Sequence, residues 1–531
     1  MSNVIKTLSI CAGIASINVI ASHVQLETVY KWKYFDYEWE SESHREAAIA
    51  SGDYNYTKPI IIDTDHAKDG RIFVTIIRAD GVPSSLNVIG NRRGPGGPLL
   101  QPYPSWEWTK RGDCNGITSV YRVAIDPCNR LWVLDNGKIG SEVICSAQLL
   151  VFDLATDKLI KRVKIPIELS QNSETDVGRL VTPIVETHGP HCTNTTVYMA
   201  DISGYGLVIY DRGQLWRLES KLFRADPAVT NYTILGESFT LQDGILGMAK
   251  HPDIPVLYFR SMSSHDMSSA GTTDLKNSRH NSKVRYHTIP DVIPSQAAAM
   301  AVSSDGILFL GLPTELSLAC WNTCKPLNKD TLGIVAHDPK RLQFVSGVKI
   351  IPKYITGTNE EVWIVTDRFQ KIMAGTMDFS DVNFRIMKAD VAQLTAGTFL
   401  HAMTRKKRGI KGVQRTEWLS FQQLWTPRQT SRSNNYIYVP PNCAFGSTKD
   451  DSNFKQQREL RNREKLQPSN LPRRDRSALL QLYAVKFKRV LPTMWQHCSK
   501  KKHLVLPRKS AIIVFAGAAK WTAFQKTLSQ P

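Results

Sequence analysis

Beyond residue 22 the chain has no apolar run long enough to cross a bilayer as a helix, and regular helical periodicity is scarce throughout. It has no Cys-x-x-Cys spacing joined to histidines, which argues against a structural zinc site. A Gly-x-Ser-x-Gly elbow, a His-Glu-x-x-His helix and a Walker loop are also missing. Hydrolase, zincin and phosphoryl-transfer readings therefore lack the residues their geometry needs. What is present is an ordinary globular composition, 42% hydrophobic and 22% charged, enough for a large core.

The net charge of +19 is not spread over the chain. Residues 1–400 carry 40 Lys/Arg against 42 Asp/Glu, and residues 401–531 carry 27 against 6, so the two parts hold −2 and +21. A basic tail can bind nucleic acid, anionic membrane or acidic partners, but a solvated, poorly ordered segment accounts for it as well, so no nucleic-acid partner is expected. Residues 401–531 read as a basic, largely disordered extension with one short helix near Ser477–Phe487. At its border the run Arg405-Lys406-Lys407-Arg408 has the form that secretory convertases cut.

Residues 1–22 have Lys6 as the only early charge, an apolar stretch from Leu8 to Ile20, and small residues at Ala21 and Ser22, the grammar of a signal peptide. Sequons at Asn55, Asn194 and Asn231 agree with a secretory, extracellular route. Eight cysteines remain after residue 22, enough for a few bridges in an oxidising compartment. Cys114 and Cys145 bracket one hairpin-sized region, and Cys128 and Cys192 precede equivalent strands in consecutive units. The expected pairs are therefore Cys114–Cys145 and Cys128–Cys192.

The body, residues 23–400, repeats. Strand-like runs recur at Ile72-Phe73-Val74, Leu131-Trp132-Val133, Val197-Tyr198-Met199, Val256-Leu257-Tyr258, Ile307-Leu308-Phe309 and Val362-Trp363-Ile364, read as the first strand of each unit. Six all-β units at this period fit a six-bladed β-propeller, which removes exposed sheet edges by closing into a ring. The segment Tyr30-Lys31-Trp32-Lys33-Tyr34-Phe35-Asp36-Tyr37 reads as the strand that completes the last blade.

Residues 112–137 read GDCNGITSVYRVAIDPCNRLWVLDNG, joined by DGVPSSLNVIG at 80–90, AQLLVFDLATDKLIKRVKIP at 147–166, GESFTLQDGILGMA at 236–249, LACWNT at 318–323 and DVNFRI at 381–386. In this order the stretches resemble the yellow/major royal jelly protein family across roughly residues 28–398. The resemblance implies a secreted, glycosylated six-bladed propeller of insect origin. It does not imply one activity: members serve as nutritive proteins of glandular secretions, act in pigmentation with dopachrome conversion, bind biogenic amines, or associate with sterols through a partner peptide. The family's cysteine near Phe399 or Leu400 is missing here, which removes the usual partner of Cys320.

A propeller offers a funnel on its axis as the default ligand site. Asp135, Asn136 and Asp201 follow strand ends and are candidates to face that funnel, against their commoner role as turn formers. Phe309 and Trp321 are candidate walls for an amine or sterol, against the commoner role of such aromatics in the core. No catalytic residue, resident cofactor or metal site is assigned. An axial calcium held by Asp135 and Asp201 would be the signature of a lactonase-like enzyme. The reading is a non-catalytic binding or storage protein, with an enzyme of the dopachrome-converting or lactonase-like type as the alternative.

Overall fold

The computed structural model describes residues 26–280 and 283–396. The signal peptide read at 1–22, the extension at 401–531 and its basic run at Arg405–Arg408 lie outside the described residues, as do Cys443 and Cys498.

Six four-stranded antiparallel sheets follow one another along the chain. Their innermost strands are Ile61–His66, Val120–Ile125, Leu180–His188, Ile245–Lys250, Met300–Val302 and Phe344–Ile351. Each innermost strand touches the next, and the sixth touches the first, so the sheets form a closed ring of six blades. The sixth blade is completed by Glu27–Trp32, which pairs antiparallel with Phe384–Asp390. The strand placed at 30–37 from sequence is thus shifted to 27–32, and Tyr37 keeps only an isolated bridge to Leu100 in the first blade.

The six runs found in the sequence are the second strands of their blades, not the first. The reason is burial. Second strands are covered by neighbouring blades on both faces, so Ile72–Ile76 and Ile307–Leu312 are buried at every residue and read as unbroken apolar runs. Innermost strands border the axis and carry charged residues among apolar ones, which breaks that signature.

Between blades the core is continuous. Phe309, Leu318 and Cys320 of blade five meet Val345, Val362 and Ile364 of blade six, and Trp132 and Leu149 of blade two meet Val197 and Met199 of blade three. Cys114–Cys145 and Cys128–Cys192 are disulfide-bonded, with Cα atoms 5.4 and 6.3 Å apart. The second bridge ties the first hairpin turn of blade two to that of blade three. Cys320 is buried and unbridged among the described residues, and burial pushes its thiol pKa up to about 12.

Candidate functional site

The six innermost strands enclose a cavity of about 250 Å³ on the propeller axis. Every blade contributes: Asp63, Arg122, Thr182, Met248, Met300 and Lys349 come from blades one to six in turn. One end is closed. Val181, Leu246 and Phe344, near the starts of three innermost strands, share one apolar cluster with Tyr232 and Phe239 of the hairpin Asn231–Ile234 and Glu237–Thr240. Phe369 stacks into the same cluster, 5.6 Å from Phe239 and 5.0 Å from Phe344 between ring centres. The cluster also takes Tyr121 of blade two and Ala298 at the entry to blade five, so the hairpin packs across that end of the ring and plugs the channel there. The cavity runs toward the other end, where Lys250, Val302 and Ile350 stand.

The ion-paired cluster inside the channel is built from blades one, two and six. Asp63 Oδ2 lies 3.1 Å from Lys349 Nζ, and Asp63 Oδ1 lies 3.6 Å from Arg122 Nη1. Asp65 Oδ2 is 3.7 Å from the same lysine and accepts the Ile125 N–H at 3.1 Å. Arg122 Nη2 donates to Ser346 O at 2.7 Å, and Lys349 Nζ donates to Val123 O. These bonds sew the sixth blade to the second and the first to the second. Burial pushes the Asp65 carboxyl up to about 6 against the pull of Lys349, and burial lowers the Arg122 guanidinium against the pull of Asp63.

Three polar atoms on these residues are left over. Asp63 Oδ1, Arg122 Nε and Thr182 Oγ1 are buried and make no hydrogen bond among the described residues. Buried polar groups of native proteins are nearly always partnered, which makes these three atoms the unfilled positions of the channel wall.

The residues singled out from sequence lie elsewhere. Asp135 accepts the N–H groups of Thr118, Ser119 and Gly137 and the Gln148 amide, at 2.8 to 3.0 Å. Asp201 accepts from Arg179 N at 2.6 Å, Gly204 N at 2.9 Å and Arg217 Nη1 at 2.9 Å, and burial raises its pKa. Both end the second strand of a blade, and both tether the segment that enters the blade's innermost strand. With their oxygens committed in this way they do not form a calcium cage, and no carboxylate, histidine or cysteine group able to hold a metal occurs among the described residues. Asn136 caps the same turn through Lys138 N at 3.0 Å. Phe309 is fully buried between blades five and six, and Trp321 packs edge-on against Tyr258 at 5.5 Å with its Nε1 on Lys325 O. None of the five lines the channel. The signal for the real lining was a single charge embedded in an apolar strand, as in Arg122 within SVYRVAI and Lys349 within SGVKII.

Asp367 ends the second strand of blade six at the position of Asp135 and Asp201. Burial pushes its carboxyl up to about 8, outweighing the Ser346 hydroxyl and Phe369 N–H that favour the charged form. An unfolded aspartate titrates near 3.9, so between these values the folded chain holds a proton that the unfolded chain has lost. Stability is then greatest at low pH and falls by at most about 1.4 kcal/mol per pH unit until the folded group ionises. Asp367→Asn is expected to remove that decline: thermal melts should show the variant's margin over the parent growing from pH 5 to pH 8.5.

Residues 118–400 match the family model described as Major royal jelly protein. Major royal jelly protein 9 of Apis mellifera is 48% identical over 373 residues, covering 69% of this chain and 88% of the relative. Major royal jelly protein 8 of the same insect is 43% identical over 400 residues, covering 73% and 96%. Major royal jelly protein 1 is 39% identical over 385 residues, covering 70% and 89%.

Proposed function

Since the chain belongs to the major royal jelly protein family, we propose that it is a secreted, non-catalytic binding glycoprotein that holds a small aromatic amine in its axial channel. The observation that carries this reading is the set of unsatisfied atoms, Asp63 Oδ1, Arg122 Nε and Thr182 Oγ1, on residues lining a closed-ended cavity. An ammonium group would share the Asp63 carboxylate with Arg122 and Lys349, and a ring hydroxyl suits Thr182 and Arg122. An aromatic ring suits the Met248 and Met300 thioethers. At about 250 Å³ the cavity falls below the roughly 300–1,000 Å³ of sites for drug-sized ligands, which favours an amine over a sterol.

Secretion is supported by two disulfides, which persist in oxidising compartments, and by the signal-like residues 1–22. Asn55, Asn194 and Asn231 are exposed, so each sequon is open to glycosylation. No helix of the described residues is long and apolar enough to cross a membrane.

Calorimetric titration of the purified protein with dopamine is expected to show one site. Thr182→Val should weaken it about three- to tenfold, the net worth of one hydrogen bond. Its melting temperature should not fall, because Thr182 Oγ1 bonds nothing in the protein. Acidification through pH 6 should also weaken binding, since Asp65 takes up a proton there and the channel turns more positive. Heat from cholesterol but none from dopamine would overturn the amine reading. Turnover of dopachrome would move the function to a pigment-converting enzyme.

A further inference from the structure

A second cleft, of about 300 Å³, shares no residue with the axial channel. It lies between blade three, which gives it residues at the ends of its first three strands, and the short helix Thr272–Asn277 that follows the third strand of blade four. Its walls are polar throughout, without the methionines and aliphatic residues of the axial channel.

The charges of the cleft are answered inside the protein. Glu186 Oε2 lies 3.1 Å from Lys276 Nζ and its Oε1 lies 3.0 Å from His188 Nε2, while Asp211 Oδ2 accepts from Arg212 Nε at 3.0 Å. A ligand therefore needs no charge of its own. The side chains of Thr273 and Asn277 are exposed and bond nothing among the described residues. With the spare donors of Lys276 and Arg212 they suit a neutral group rich in hydroxyls.

One wall residue is itself a point of attachment for such a group. Asn194 heads the sequon Asn194-Thr195-Thr196, and its side-chain amide is exposed and bonds nothing among the described residues. It is held in place two residues after the bridged Cys192 and in register with His188. The other sequons differ: Asn55 Oδ1 accepts from Thr57 N and Oγ1 at 3.0 and 2.8 Å, Asn231 Oδ1 accepts from Thr240 Oγ1 at 2.8 Å, and neither residue lines the cleft. A free sugar would have to offset its lost translational freedom with bonds that water supplies equally well. A sugar already joined to Asn194 escapes that cost, because its tether keeps its local concentration high.

We propose that the cleft seats the first sugar of an N-linked glycan on Asn194, which bridges blades three and four. The proposal rests on the reading of the chain as a secreted glycoprotein.

The test uses the full-length protein secreted from insect cells grown in kifunensine, which leaves every glycan high-mannose and without core fucose. Native protein is digested with peptide-N-glycosidase F, and release at each sequon is followed by mass spectrometry. Asn194 is expected to be occupied and to be released about tenfold more slowly than Asn55, the worth of one or two hydrogen bonds. Thr273→Val/Asn277→Ala alters only exposed, unbonded groups, so it should fold as the parent does and bring Asn194 release up to the Asn55 rate. Asn194→Gln should lower the melting temperature of the secreted protein. It should leave unchanged that of protein made in the bacterial periplasm, where disulfides form without N-glycans. Equal release at Asn194 and Asn55 would overturn the proposal, as would slow release that the wall variant does not change, which would be steric hindrance alone. An equal melting shift in both preparations, or none in either, would also overturn it. Asn55 occupied with Asn194 bare would overturn the seated glycan and spare the glycoprotein reading, whereas three bare sequons would end both.

Discussion

An Asp63→Ala protein is expected to lose about 3–5 kcal/mol of stability, the cost of breaking a buried ion pair from one side. Asp63 is fully buried, and it is the carboxylate shared by Arg122 and Lys349. Without it two cations remain on the axis, and the Val123 N–H loses its acceptor. The loss should appear in denaturant melts. The double change Asp63→Ala/Lys349→Met, which removes one of the stranded charges, should recover part of it. A single variant as stable as the parent would show that solvent already neutralises these charges and that the channel is wetter than its burial implies.

The second large effect is expected at the ring's seam. Trp32 is 1% exposed, lies 5.2 Å from Phe35 between ring centres, and donates its Nε1 to Pro98 O at 2.8 Å. It therefore packs the strand that completes blade six and bonds that strand to the outer strand of blade one. Trp32→Ala should cost about 3–5 kcal/mol through the cavity and the orphaned carbonyl. Because the strand Glu27–Trp32 closes the ring, the loss should be accompanied by early amide exchange in Phe384–Asp390, its partner strand. Uniform exchange across all six blades would mean that the ring opens as one unit and not at the seam.

These two sites differ in how much of them could be read from residues. Trp32 stands in an aromatic, alternating segment, and an N-terminal strand completing the sixth unit follows from the need to close a repeat. Asp63 gave no such sign. It lies in IIIDTDH, where Asp next to Thr reads as the start of a turn, and only the ring brings it to Arg122 and Lys349. Asp135 and Asp201 bond backbone N–H groups and stand outside the axial channel, and the residues alone leave this open because a strand-ending aspartate looks the same whether it faces a funnel or its own backbone. The orientation depends on where the neighbouring innermost strand begins. Phe309 and Trp321 took the core positions that their residue types most often hold.

What the residues determine by themselves is local and periodic. Six apolar second strands, the turns that bound them and the half-cystine positions one hairpin or one unit apart all arise within one repeat or between consecutive repeats, where chain neighbours are also spatial neighbours. The register of those runs within their blades, the identity of the innermost strands and the composition of the channel were decided only by closure. The channel takes lining side chains from each of six blades, and Asp63 meets Arg122 and Lys349 only there. A group's burial and its partners are set by distant segments that meet once the ring closes, and no window of sequence contains them.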